Sequence, residues 1–374
     1  MSLTLVPFHL RRSRTVEILV ASLVLAACSS SQPGPGVTAT DAGQVASYSG
    51  SFNVTLWGFL DLPTENSSAQ KPKYVYVAGQ VYDGPYPQTL VDTPLPLPDD
   101  ATPGCAVYRS LPPHCHDIGG CGADSTNLAC AASADTKPCV CAAENTCQPY
   151  PKAVDVGQVT MAGIADSTGA TSFTLANVSN NYQVPNNVTL TYPGFSEGAE
   201  LTLSATGGDA APFRTSAKGV APLLMNAPTN GYILTRNASS ADPTAYEPLT
   251  LQWEPPADAS NTTFEVEIDL SRHGGTVGYL ACAVPDTGSL TISSGLVSQL
   301  VQLGSVAGFA ELAVARVTSA STQLPDDGGE IEFEVASEDE YVISVQGYTS
   351  CLQDSDCSGG QKCDRSVKLC GTSP

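Results

Sequence analysis

From residue 51 onward, apolar and polar side chains alternate in short runs broken by Pro, Gly, Asn and Asp, the period of antiparallel strands. Phe52, Val54, Leu56 and Leu60 alternate with Asn53 and Thr55, and further runs over 74–81, 158–164, 188–192 and 199–205 predict a first set of strands able to form one sandwich. A second set follows the Pro- and Asn-rich stretch at 221–231. Leu249, Leu251 and Trp253 alternate until Pro255 and Pro256 break the strand. Phe264, Val266, Ile268 and Leu270 then alternate with Glu265, Glu267 and Asp269, so one face is apolar and the other acidic. Runs over 277–284, 312–317, 331–335 and 341–345 complete the set. One helix is predicted over 296–303, with Leu296, Val297, Leu300 and Val301 on one face, Ser294 as its cap and Gly304 as its stop.

The pattern predicts an all-β protein of two antiparallel β-sandwich-like domains, over 51–220 and 221–347. Residues 94–151, dense in Cys and Pro and poor in periodic apolar positions, read as a disulfide-rich insertion into the first domain. Residues 348–374 read as a small cysteine-rich C-terminal module.

The N-terminus has a different pattern. Arg11, Arg12 and Arg14 precede an apolar run from Ile18 to Ala27, the order of an export signal. The run is about half the ~20 residues that a membrane-spanning helix needs, so residues 1–27 are expected to be cut away. Leu25-Ala26-Ala27-Cys28 resembles the lipobox of bacterial lipoproteins in all four positions. The resemblance implies that Cys28 becomes the new N-terminus and carries the lipid, palmitate included. Ser29 stands where an Asp in that family favours retention at the inner membrane, which points to the outer membrane. Residues 28–50 are Ser, Gly, Pro and Ala with little charge, the composition of a flexible tether.

Charge narrows the partners. The chain has a formal charge of -21, and removing the three Arg and one Glu of residues 1–27 makes it -23. A surface this acidic repels nucleic acid and anionic lipid. The 28 Pro and 33 Gly imply many turns and few long helices.

Twelve cysteines remain after Cys28 and they are clustered. Cys105, Cys115, Cys121, Cys130, Cys139, Cys141 and Cys147 form a group of seven, Cys282 is alone, and Cys351, Cys357, Cys363 and Cys370 form the tail group. An even total in an exported chain suggests six disulfides. The tail can close on itself in three ways, whereas a group of seven cannot. The simplest arithmetic therefore joins Cys282 to one member of the central group; a buried free thiol at Cys282 is the competing reading.

Two resemblances bear on architecture. Pro248-Leu249-Thr250-Leu251-Gln252-Trp253-Glu254-Pro255-Pro256 resembles the second strand of fibronectin type III domains, and Glu340-Tyr341-Val342-Ile343-Ser344-Val345 is similar to a later strand of that family. Together they cover about fifteen residues and imply a sandwich. The lipobox, the central cysteine group and the tail pattern with Asp356-Cys357 and Gly359-Gly360-Gln361-Lys362-Cys363 resemble cysteine-rich surface lipoproteins of myxobacterial type. That likeness implies location more than mechanism.

Several motifs suggest chemistry. Ser271-Arg272-His273-Gly274-Gly275 at a strand end resembles the histidine phosphatases, but no His follows His273 to complete such a site, and a polar turn explains the glycines. Asp286-Thr287-Gly288-Ser289 looks like the aspartic-protease loop, whose carboxylates work as a pair. No second copy is present, and Pro285 stands where that family has an apolar residue. His114-Cys115-His116-Asp117 gathers metal-ligand types, yet cysteines in an oxidising compartment favour disulfides. Asp354-Ser355-Asp356-Cys357-Ser358-Gly359 opens like a calcium loop, but its twelfth position is Arg365 instead of Glu, which rejects an EF-hand. Weak calcium binding by acidic loops such as Asp326-Asp327 is compatible with the charge. No cofactor motif, metalloprotease helix or nucleophile elbow appears.

The sequence thus predicts a non-catalytic, lipid-anchored cell-surface protein for adhesion, recognition or envelope structure, facing an extracellular protein or glycan. Trp57, Phe59, Tyr82 and Tyr86 are candidates for a binding face, with burial in a core the favoured alternative. An exported hydrolase, its site assembled around His114 or His273, is the second expectation.

Overall fold

The computed structural model describes residues 48–60, 73–84, 92–110, 139–142, 146–149, 151–228, 231–242, 244–271, 277–303, 306, 310–325, 328–365 and 368–371. The first strands are β1 (Tyr48–Leu60), β2 (Tyr74–Tyr82), β3 (Asp92–Pro94), β4 (Cys105–Ser110), β5 (Cys139–Ala142), β6 (Thr146–Pro149) and β7 (Val159–Ala162). They are followed by β8 (Ser172–Thr174), β9 (Ala176–Val178), β10 (Asn181–Gln183), β11 (Glu200–Ala205), β12 (Phe213–Lys218), β13 (Tyr232–Leu234) and β14 (Leu249–Gln252). The last are β15 (Thr263–Asp269), β16 (Gly278–Pro285), β17 (Ser289–Ile292), helix α1 (Ser294–Gln302), β18 (Glu311–Gln323), β19 (Gly329–Val345), β20 (Lys362–Asp364) and β21 (Leu369–Gly371). The protein is all-β.

Eleven strands form one sheet in the order β3-β4-β16-β15-β18-β19-β1-β2-β10-β9, with β13 also beside β19. The axis is the β18–β19 hairpin, in register from Glu311 opposite Val342 to Gln323 opposite Glu330. Because side chains alternate along a strand, one face of these two strands can be read directly. On β19, Ile331, Phe333 and Val335 belong to one apolar core, while Tyr341, Ile343 and Val345, on the same face, belong to another. On β18, Leu312 and Val314 enter the second core and Ala320 packs against the first. Two cores therefore sit side by side on one face of a continuous sheet, parted by the buried polar side chains of Arg316, Thr318, Ser337 and Asp339.

Each core is closed by its own upper layer. Over the first lies the sheet β12-β11-β7-β8, whose Leu201, Leu203, Val159, Met161 and Phe213 meet Phe52, Val54 and Val77 of the long sheet. Over the second lie the β14–β17 pair and α1, which contribute Leu251, Ile292, Leu296 and Leu300. Trp253 stacks on Phe264 across this core with ring centroids 3.5 Å apart. The chain passes from one core to the other at residues 218–223, over the polar seam. Thr318 donates its hydroxyl to the Lys218 carbonyl, and the Leu223 N–H donates to Ser337 Oγ at 2.8 Å.

Several expectations are corrected in detail. The runs at 331–335 and 341–345 are one strand, with Ser337, Glu338, Asp339 and Glu340 continuing its extended backbone between them. The expected strand at 188–192 is a loop, held by the single bridge of Leu190 to Asp166. β12 was hidden by its polar composition, although Phe213, Thr215 and Ala217 alternate inward. α1 is capped by Ser293, whose Oγ accepts from Leu296 N, and not by Ser294, whose hydroxyl bonds the Tyr246 carbonyl; Gly304 lies outside the described residues. The strands are not all antiparallel either: β19 has β1 parallel along most of its length and β13 parallel at its last residues.

The region 94–151 is more than an appendage. Its β4 pairs with β16 in the long sheet, and Val107 and Cys105 are buried in the second core. Cys105 stands opposite Cys282 in register and is disulfide-bonded to it. The tail cysteines pair as Cys351–Cys363 and Cys357–Cys370. Cys115, Cys121 and Cys130 lie outside the described residues, and β5 and β6 form a hairpin in which Cys141 stands opposite Cys147.

Candidate functional site

The face of the long sheet that points away from both cores carries an acidic, aromatic array. Glu265 of β15 stands opposite Ala315 of β18, which stands opposite Glu338 of β19; Glu338 in turn faces Trp57 of β1, and Trp57 faces Tyr74 of β2. The next row runs Glu267, Ala313, Glu340. Only the small alanines of β18 stand between them, so carboxyls from strands about 10 Å apart share one face over an apolar floor. Ala315, Val317 and Ala336 form that floor as a small cluster of their own.

Position on the outer face does not make these groups solvent-exposed. Glu267, Glu338 and Glu340 are each at most 5% exposed, and Trp57 is 4% exposed. Burial, reinforced by the negative charges of Glu334, Glu340, Glu265 and Glu267, holds the Glu338 carboxyl well above the usual carboxylate range. A protonated carboxyl is a hydrogen-bond donor as well as an acceptor, so Glu338 can share its proton with its neighbours. Tyr74 and Tyr76 flank the array, and burial raises the pKa of both phenols; for Tyr74, Glu340 and Glu338 add to the shift. Trp57 stacks on Tyr74 at 6.2 Å between centroids.

On the core side, the seam holds a buried ion pair. Arg316 Nε meets Asp286 Oδ2 at 2.6 Å, and the Trp253 indole N–H donates to Asp286 Oδ1, also at 2.6 Å. The other guanidinium nitrogens donate to the carbonyls of Glu254, Ala221 and Pro222. One arginine on β18 thereby ties together the turn after β16, the chain end after β14 and the crossover between the cores. Asp286 is 0% exposed, and both its oxygens face N–H donors. Among the described residues no second carboxylate contacts it, and its full burial denies it the water access that the aspartic-protease resemblance requires. Gly288, at φ 94°, completes the turn.

His114, His116, Asp117, His273, Arg272 and the Asp326-Asp327 loop lie outside the described residues, as does Cys28. In the tail, Asp356 accepts from the N–H groups of Leu352 and Gln353, and Asp354 accepts from Cys363 N. Both carboxylates are engaged by backbone N–H groups of the module. Cys351, Cys357 and Cys370 sulfurs lie together, but each is in a disulfide and offers no thiolate to a metal. Trp57 is buried, yet on the face opposite the cores; Tyr82 is half-buried with its hydroxyl on Gln80 Oε1. The side chain of Phe59 and all of Tyr86 lie outside the described residues. Sequence alternation revealed Glu265 and Glu267. It missed Glu338 and Glu340, because Ser337, Glu338, Asp339 and Glu340 form a polar run that reads as a break between strands.

No protein-family model matches the chain, and no curated protein matches it in sequence.

Proposed function

We propose that the protein is a non-catalytic lipoprotein of the outer membrane, held by a lipid on Cys28, that serves at the cell surface in adhesion, recognition or envelope structure. The observation that carries this reading is the pairing of cysteines. The Cys105–Cys282, Cys351–Cys363 and Cys357–Cys370 disulfides belong to an oxidising compartment, which the signal-like residues 1–27 would supply. The use of Asp286 as half of a buried ion pair supports the non-catalytic part, since it removes the most suggestive carboxylate from chemistry.

The test is localisation. The wild-type protein is expected in the outer-membrane fraction and labelled by radioactive palmitate, whereas Cys28→Ala is expected unlabelled and released to the periplasm or medium. An unchanged distribution and label for Cys28→Ala would overturn the anchor.

A further inference from the structure

We propose that the uncovered half of β18, residues 319–323, is an open sheet edge that takes an added strand: an extended peptide in which basic residues alternate with small uncharged ones. Such an edge deepens the recognition reading and rests on it for its biological setting. Binding is read on the purified chain in solution, so its failure is separate from any failure of the Cys28 anchor.

β15 covers one side of β18 only as far as Val317, which stands opposite Thr263; before Thr263 the chain turns away through a single helical turn at Ala259–Asn261. On the other side β19 continues to pair, in unbroken register, until Glu330 stands opposite Gln323. In this hairpin the Leu324 N–H donates to the Gly329 carbonyl at 2.7 Å and the Ile343 N–H to the Ala310 carbonyl at 3.2 Å. Even-numbered residues of β18 therefore bond to β19, while Ser319, Ser321 and Gln323 turn their N–H and C=O groups to the uncovered side. All three residues are exposed. Sheet edges are ordinarily guarded by charge, by proline or by being very short. The edge strand β3 ends in Pro94, and the edge strands β8 and β9 have three residues each, whereas residues 319–323 carry no charge and no proline.

The two faces of an added strand meet different surroundings. Glu330, Glu332 and Glu334 of β19 stand opposite Gln323, Ser321 and Ser319, on the face away from the core that takes Ile331, Phe333 and Val335. A strand beside β18 lies about 10 Å from β19, about one Debye length at 0.1 M salt, with only uncharged side chains between. Its residues opposite Ser319, Ser321 and Gln323 share the face of the glutamates, so basic side chains at those positions are attracted. On the core side β12 passes over β18, where the Thr318 hydroxyl donates to the Lys218 carbonyl. A cavity of about 200 Å³ opens there, lined by Glu200, Ser216, Lys218, Asn261, Thr318 and Ser319. Small-molecule sites begin at roughly 300 Å³, so this one suits a small side chain of a strand better than a free ligand. Its two charges already face each other, Lys218 Nζ and Glu200 Oε2 at 3.9 Å, which makes an uncharged side chain the matching one. Main-chain bonds along an edge, with subsites for alternate side chains, are the ingredients of strand addition.

The test titrates the purified full chain into a labelled, end-blocked peptide, Thr-Lys-Val-Lys-Thr-Lys-Val. A peptide of the same composition with its lysines adjacent, Lys-Lys-Lys-Thr-Val-Thr-Val, measures bulk attraction to the acidic chain. The alternating peptide is expected to bind on the order of tenfold more tightly, and more weakly as salt rises. N-methylation of its lysine amides, the donors that face β18, is expected to abolish that advantage, whereas N-methylation of the Val and Thr amides between them is expected to preserve it. Ser321→Pro removes an outward N–H and leaves the β18–β19 bonds in place, so it is expected to abolish the advantage with thermal unfolding unchanged. Glu330→Gln with Glu332→Gln and Glu334→Gln is expected to weaken the alternating peptide by about tenfold. Equal binding of the two peptides, lysine N-methylation without effect, or unchanged affinity in the Gln variant overturns the proposal, whether or not Ser321→Pro folds. Dimerisation of the wild type that Ser321→Pro abolishes would assign the edge to a second copy and overturn the peptide as its occupant.

Discussion

Arg316 and Asp286 meet at 2.6 Å with side chains 2% and 0% exposed, at the point where the two cores adjoin. A buried pair of this kind is a weak source of net stability but a large liability when broken, because the survivor is left charged and unsolvated. Arg316→Met alone and Asp286→Asn alone are each expected to cost about 3–5 kcal/mol in urea unfolding. In the double variant no charge is left stranded, and the amide oxygen introduced by Asp286→Asn still accepts from Trp253, so its cost is expected to fall well below the sum of the two. Additive losses would show that the two groups do not act as a pair.

The Cys105–Cys282 disulfide joins residues 177 apart in sequence and fastens the short β3–β4 edge to the second core. Replacing both cysteines by Ala frees a large loop in the unfolded chain and is expected to cost about 2–4 kcal/mol. Because β3 and β4 sit at the end of the sheet, the loss is expected first in their amide protection. Hydrogen exchange over 92–110 should accelerate while β18 and β19 remain protected.

What the sequence made legible was local and periodic. Phe52, Val54 and Leu56, or Phe264, Val266 and Ile268, alternate cleanly, and the strands that bear them lie within a few residues of expectation. The parity of the cysteines pointed Cys282 toward the central group but left a free thiol open, and the Cys105–Cys282 disulfide decides between them. What escaped has a common cause: the polar stretch 337–340 continues a strand that two cores hold at either end, a tertiary requirement that no window of sequence contains. The same stretch supplies Glu338 and Glu340, so the acidic array was invisible for the reason that β19 was read as two strands.

Gly79 lies directly opposite Phe52 in the β1–β2 register, and a Cβ there would sit 1.9 Å from the Phe52 ring. The missing side chain is the space into which the ring folds, between Tyr182 and Phe213, each with centroids 5.9 Å away. Gly79→Ala is expected to displace the ring and destabilise by about 1–3 kcal/mol, as overpacking does. Adding Phe52→Leu should recover part of the loss. If Gly79→Ala is neutral on its own, the close approach does not constrain the core.

Glu338 links fold to pH. Its carboxyl is raised well above its ordinary value when folded, by burial and by Glu334, Glu340, Glu265 and Glu267, and returns to that value when the chain unfolds. Between the two values the folded state holds a proton that the unfolded state has released. Stability therefore falls as pH rises through this window and is fully present below the ordinary carboxylate value. Glu338→Gln supplies a neutral side chain of the same shape at every pH. It is expected to leave the melting temperature unchanged near pH 4 and to raise it near pH 8, flattening the profile of the wild type. A wild-type melting temperature that climbs from pH 4 to pH 8, with the Gln variant parallel to it, would mean that the five carboxyls do not share a buried environment on the outer face of β15 and β19.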